Sequence, residues 1–306
     1  MIIPIFIMNR GCPHRCLFCN EELVAENHPD RLEETGFRET VRTYLEAGRR
    51  RGGPVEIAFY GGTFTGMPRE EQLHLLGLAA SYLREGTVDH IRISTRPDEI
   101  DAAGLDMLQA FGVKTVEIGA QSLDDDVLRL SQRGHRAADT LRAMARLKER
   151  NFATGIHLMA GLPGDSPELF ARTIDRVIAL GPDTVRIHPT IVLRDTPLAD
   201  AYRKGIYRPL TLTEAVTQCK EALKKLTSAW ACRPPGPWRS REPSSRGPST
   251  RPSGRLSRPP FISTWRLPFA NRRALRVFPG GNPSHSLSPP PTSSISMVRV
   301  RPTLPP

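Results

Sequence analysis

The 306 residues carry a net charge of +11, yet residues 231–306 alone hold 13 arginines against one acid, Glu242, so the first 230 residues sit near −1. A near-neutral main body argues against a strongly electropositive groove for unspecific nucleic-acid binding, and the high isoelectric point describes the C-terminal segment instead. Five cysteines, three within eight residues and two (Cys219 and Cys232) far apart, are not a disulfide framework. No apolar run approaches the roughly 20 residues needed to span a bilayer. Residues 1–8 also lack the basic start and small-residue cleavage site of a signal peptide. The expectation is a protein of a reducing, cytoplasmic compartment with no membrane partner.

Residues 2–8 form a short apolar run that predicts a buried strand, and the loop behind it carries Cys12, Cys16 and Cys19. Three thiolates on one tight loop can close on a single metal centre and leave one coordination position open, which is where chemistry happens. A zinc site completed by His14, His28 or a distant residue is the alternative. A helix is predicted over 35–51 and a strand over 55–60. Behind that strand runs Tyr60-Gly61-Gly62-Thr63-Phe64, whose glycines either let backbone groups approach a ligand or make a tight turn.

A helix over 68–84 and a strand over 90–95 follow, and behind the strand Arg96 either serves a carboxylate or phosphate or stands as an exposed loop charge. After a helix over 99–111, a strand over 114–118 contains Glu117, which in an otherwise apolar run must be paired or ligand-facing. A helical stretch over 124–150 is broken at Gly134. The strand over 154–159 holds His157, a residue type that beside apolar neighbours is more often a satisfied core histidine. Ser166 before Pro167 starts a helix over 167–180, a strand spans 184–188, and Thr211 or Thr213 before Glu214 opens a last helix over 213–226. Six strands alternating with helices predict an α/β fold, a partial (β/α)6 barrel with ligand sites at the C-terminal strand ends.

Past residue 228 the composition changes. Residues 231–306 contain 17 of the 29 prolines, with arginine, serine and glycine between them and no sustained periodicity. Such a segment cannot bury enough apolar surface to offset its ordering entropy. Two domains are therefore expected, a core over 1–228 and a low-complexity, disordered basic tail over 229–306. A natural tail and out-of-frame translation both account for the latter.

The arrangement Cys12-x3-Cys16-x-Phe18-Cys19 after a first strand resembles the radical SAM superfamily, and the resemblance covers roughly residues 1–228. It implies a 4Fe–4S cluster on the three cysteines, with the fourth iron binding the amino and carboxylate groups of S-adenosylmethionine. An electron from the reduced cluster then cleaves the sulfonium to methionine and a 5′-deoxyadenosyl radical that takes hydrogen from a substrate. By the same resemblance Phe18 lies against the adenine and Gly61, Gly62 and Thr63 hold the amino group. Arg96, Gln121 and Arg133 complete the surroundings of S-adenosylmethionine.

Ser94 and His157 stand where the porphyrin-type branch has Glu and Asp. His157, Arg96-Pro97-Asp98, Gly134-His135 and Ile187-His188-Pro189-Thr190 look closer to the radical SAM core of the Elongator catalytic subunit. That resemblance implies a one-electron donor such as flavodoxin or ferredoxin and a tRNA substrate. The Elongator-like enzymes also carry an N-terminal RNA-binding extension and an acetyltransferase domain, neither of which is expected here. Porphyrin-related oxidation, and a SAM- and cluster-binding protein without radical turnover such as a haem chaperone or redox module, are the other readings.

Overall fold

The computed structural model describes residues 1–20, 33–48, 53–231, 263–265 and 297–300. Six parallel strands pair in chain order, β1 (Ile2–Phe6), β2 (Glu56–Tyr60), β3 (His90–Thr95), β4 (Val113–Gln121), β5 (Ala153–Ala160) and β6 (Thr184–Pro189). Helices α1 (Glu34–Gly48), α2 (Arg69–Arg84), α3 (Ala102–Ala110), α4 (Asp125–Leu130), α5 (Ala137–Glu149) and α6 (Pro167–Leu180) lie in the connections. After β6 come α7 (Pro197–Arg203) and α8 (Leu212–Ala231). The result is the expected half-barrel, whose strand tips gather the loops that carry chemistry.

Local chemistry fixes the helix starts. Ser166 Oγ accepts the Leu169 N–H at 3.2 Å with Pro167 in the first turn of α6, as the sequence predicts. Thr211 and Glu214 form a reciprocal box, Thr211 Oγ1 accepting from Glu214 N and Glu214 Oε2 accepting from Thr211 N, so α8 starts at Leu212. The stretch predicted over 99–111 starts later, because Pro97–Glu99 form a separate 3-10 turn and the Asp101 carboxylate caps α3 through Gly104 N. The break predicted at Gly134 separates α4 from α5. Helix α7, seven residues long, was not anticipated: its apolar pattern is too short to show a period.

Along each strand alternate residues face opposite ways. One set, including Ile5, Ile57, Phe59, Ile91, Ile93, Val116, Ile118, Ile156, Leu158, Val185 and Ile187, is buried in one continuous apolar core with residues from α2, α3, α5, α6 and α8. Phe37 of α1, Phe59 and Phe64 form a chain of ring contacts, with centroids 6.3 and 4.9 Å apart. The other set lines the inside of the half-barrel and is largely polar.

The disorder expected of residues 229–306 falls almost wholly outside the described residues. Three short segments of it are described: residues 229–231 continue α8, with Trp230 buried in the core, and β7 (Ser263–Trp265) and β8 (Met297–Val300) pair with each other, β8 lying antiparallel to β6. Both strands contain β-formers, and the outer edge of β6 presents unpaired backbone groups that accept a further strand.

Candidate functional site

The cysteine loop begins with a reversal at the end of β1, where Met8, Asn9 and Gly11 take positive φ of 20°, 52° and 71°. It is held against the loop after β2 by Asn9 N to Gly61 O at 2.8 Å and Thr63 N to Arg10 O at 2.9 Å. The two loops cross backbone on backbone: a Cβ at Gly62 would lie 2.6 Å from Arg10 O, and one at Gly11 would collide with Thr63 O and Met67 N. Gly61, Gly62 and Thr63 thus seat the cysteine loop. This contact is additional to the ligand role that the resemblance implies for them. Gly11 shares it, unrecognised in the sequence because strand adjacency alone reveals the crossing.

The far end of the cysteine loop is tied to loops behind other strands. Leu17 N donates to Ser131 O at 3.2 Å, Leu17 O accepts from Leu198 N at 3.0 Å, and Asn20 Nδ2 donates to Arg194 O at 2.7 Å. Phe18 is half-buried and packs with Leu17 against a small cluster of Val192, Leu198, Ala199 and Tyr207. The His14 ring lies over Gly134.

Cys12 is exposed, with Sγ 3.1 Å from Thr63 Oγ1, and Cys19 Sγ approaches Asn9 Oδ1 at 3.8 Å. Cys16 is buried and its sulfur accepts a hydrogen bond from Arg133 Nη1 at 2.9 Å. Among the described residues no three His, Cys, Asp or Glu side chains converge as a metal site. The three thiols therefore share one loop without meeting at a common point. His28, one candidate fourth ligand, lies outside the described residues.

Around this loop, buried polar atoms stand partly unused: N–H donors of Arg96 and Arg133, and an acceptor nitrogen of His135. Arg96, expected as a ligand contact or an exposed charge, is 3% exposed and forks onto Asp98 at 3.0 and 2.7 Å, while its Nη1 is buried without a partner. Arg133 spends Nη2 on Gly119 O at 2.6 Å and leaves Nε buried and unpartnered. His135 Nε2 lies 3.3 Å from Ala120 O, and its buried Nδ1 has no partner. Burial, then Arg133 and Arg96, pushes the His135 pKa down to about 4, so the ring is neutral near pH 7. Gln121 ends β4 half-buried with φ at +65°. Unspent buried donors are costly unless something accepts from them. Two guanidiniums with spare N–H groups, beside three thiols on one loop, suit the carboxylate of an amino-acid ligand next to a thiolate-held metal centre.

Inside the half-barrel lies a second polar group, of which the sequence singled out Glu117 and His157, the latter as a satisfied core histidine. Glu117 Oε1 accepts from Arg92 Nη1 at 2.5 Å and faces Arg186 Nη2 at 3.1 Å, while Oε2 pairs with His157 Nε2 at 2.8 Å. Arg92 also binds Glu56 through Nε and Nη2 at 2.9 and 2.5 Å. Arg186 donates to the Tyr60 hydroxyl at 2.6 Å with its guanidinium 4.9 Å above that ring. The rings of His157 and His188 meet edge-on at 5.9 Å.

A glycine, Gly155, faces Glu117 across β4 and β5, and a Cβ there would lie 2.8 Å from Glu117 Cγ. Burial pushes the Glu117 carboxyl up, but Arg186, then His157 and Arg92, pull it well below the usual range. Burial drives His188 down to about 3, with His157 and Arg186 adding to the shift, and raises Tyr60 to about 12. The signal was present as polar residues in the same phase on β2 to β6, which becomes meaningful only when strand order is known.

Comparison with known proteins agrees with this geometry. The Radical SAM superfamily model matches residues 6–177, and the Radical_SAM C-terminal domain model matches 182–231. A tRNA uridine(34) acetyltransferase of Dehalococcoides mccartyi is 29% identical over 257 residues, 72% of this chain and 56% of that protein. The heme chaperone HemW of Bacillus subtilis is 24% identical over 198 residues, 63% of this chain and 52% of its own length.

Among solved structures, the archaeal Methanocaldococcus infernus Elp3 with an N-terminus deletion superposes with a TM-score of 0.57 at 22% identity, over 76% of this chain and 54% of that one. That likeness concerns the fold. The chain spans about half the length of the relatives it matches, 56%, 47% and 50% for three of them. No helix among the described residues is long and apolar enough to cross a membrane. With the superfamily model covering more than half of its length, this chain belongs to the Radical SAM superfamily, whose cofactors are a 4Fe–4S cluster and S-adenosylmethionine.

Proposed function

We propose that the chain is an enzyme that reductively cleaves S-adenosylmethionine and uses the hydrogen abstraction that follows to modify tRNA. The observation that carries the reading is the convergence of the loop bearing Cys12, Cys16 and Cys19 with the unspent donors of Arg96 and Arg133. Held by Cys12, Cys16 and Cys19, a cluster would supply the single electron, taken from a flavodoxin- or ferredoxin-like donor, that reductive cleavage of a sulfonium needs. The protein's own part is orientation. Arg96 and Arg133 would receive the methionyl carboxylate, the backbone at Gly61 and Gly62 would receive the amino group, and Gln121 and Phe18 would contact the nucleoside.

The substrate reading rests on the inner face of the sheet and on the relatives. Arg92 and Arg186 are balanced by Glu56 and Glu117, and burial lowers the pKa of both His157 and His188, so this network has no surplus cation for a polycarboxylate such as a porphyrin. An uncharged heterocycle offering hydrogen bonds suits it better, in keeping with a relative named for tRNA uridine. Anaerobically reconstituted protein, given dithionite, should form 5′-deoxyadenosine, and tRNA transcripts should gain a modified nucleoside detectable by mass spectrometry. Cys16→Ala should lose both iron and cleavage. Intact S-adenosylmethionine after many hours in a fully loaded sample would reject the enzyme reading in favour of a cluster-binding module.

A further inference from the structure

We infer that Arg133 is a positioning residue for the cluster itself: its hydrogen bond to the Cys16 sulfur raises the cluster's reduction potential, independently of any contact with S-adenosylmethionine. This rests on the proposed function only in taking Cys16 as a cluster ligand. The guanidinium is placed from two sides, by Nη1 on Cys16 Sγ at 2.9 Å and by Nη2 on Gly119 O at 2.6 Å. It is 7% exposed, so water screens its charge weakly. No carboxylate pairs with it among the described residues: Arg96 is neutralised by Asp98 and Arg92 by Glu56 and Glu117, whereas the hydrogen bonds of Arg133 end on a sulfur and a carbonyl.

An arginine stays charged at any working pH. Reduction adds one negative charge to the cluster and to its thiolates. A fixed cationic donor on one of those sulfurs stabilises the reduced form more than the oxidised form, and hydrogen bonds to cluster sulfurs are among the determinants of potential. The loop after α4 thus has a role at the metal centre before any nucleoside enters. The planar fork matters as well as the charge, since one group must reach a carbonyl and a sulfur at once.

The test is the cluster midpoint measured by spectroelectrochemistry in the absence of S-adenosylmethionine, on full-length protein with four irons loaded. Arg133→Gln is expected to disfavour reduction about tenfold, which is 59 mV for a one-electron couple. Arg133→Lys, which keeps the charge and loses the fork, should fall between the two. Arg129→Gln, which removes an exposed charge on α4, should leave the midpoint where it is.

A loaded Arg133→Gln protein with an unmoved midpoint and weakened S-adenosylmethionine binding would overturn the proposal, leaving Arg133 as a ligand contact only. If Arg133→Gln does not load iron, Arg133→Lys decides: a lowered midpoint supports the role and an unchanged one rejects it. Failure of the unsubstituted protein to take up a four-iron cluster would reject the reading of Cys16, and this inference with it.

Discussion

The two faces of the same six strands obey different rules. Outward, Ile57, Phe59, Ile91, Ile93, Val116 and Ile156 bury against helices, as in any parallel sheet covered on that side. Inward, one residue away along the strands, Glu56, Tyr60, Arg92, Glu117, His157 and Arg186 join into one network. A closed eight-stranded barrel fills its interior with branched apolar side chains. This half-barrel keeps ions there, which is costly unless every member is paired. The outer face holds the fold, and the inner face is specialised at the expense of stability.

The largest expected effect separates the two. Glu117 is fully buried and is the shared partner of Arg92, Arg186 and His157. Glu117→Ala leaves Arg186 without its counter-charge and Arg92 with Glu56 alone, and should cost about 3–5 kcal/mol in urea unfolding. A cost below about 1 kcal/mol would show that water enters the half-barrel and screens these charges, and the contrast between the faces would collapse.

Acid sharpens the same contrast. His188 is held down to about 3 against an ordinary 6.5, by burial first, with the neighbouring His157 and Arg186 adding and Glu117 opposing. Its folded pKa lies below the unfolded one, so its contribution is complete above about pH 6.5 and is lost as the pH falls toward 3. Over that window an unfolded chain binds a proton that the native one refuses, at about 1.4 kcal/mol per pH unit. His135, pushed down to about 4, acts likewise between 6.5 and 4. Stability measured from pH 7 to pH 4.5 should decline, and His188→Gln should flatten the slope by one proton. An unchanged slope would mean that His188 is protonated in the native state.

What the sequence reveals follows the same division. All six strands are legible because their outward residues are apolar, and a run of Ile, Val and Phe needs no partner to be recognised. Strand β4 was expected to stop at 118 and reaches Gln121, since Gly119 and Ala120 give no local β signal and the neighbouring strands supply it. The cysteines are legible because their spacing is local. Arg92 and Arg186 are not, because a charge alternating with isoleucine looks the same whether it faces solvent or the inside of a barrel. Arg96 illustrates the ambiguity: a loop arginine by sequence, it is almost fully buried in the fold. The part played by Gly11 is invisible for another reason, since it depends on a backbone 52 residues further along, at Thr63.

The smallest effect belongs to the outer face and serves as the control for the others. Ile93 is fully buried on β3, between Phe59 of β2 and Val116 of β4. Ile93→Val removes one methylene, worth about 0.8 kcal/mol of transfer free energy, with a small addition for the gap left behind, so about 0.5–1.5 kcal/mol in all. No charge is involved, and the loss should be equal at pH 7 and pH 5, with iron loading unchanged. A loss that grew on acidification would mean that packing behind the sheet controls the ions in front of it. The two faces would then be one coupled unit, and the pH slope assigned to His188 could not be ascribed to the inner face alone.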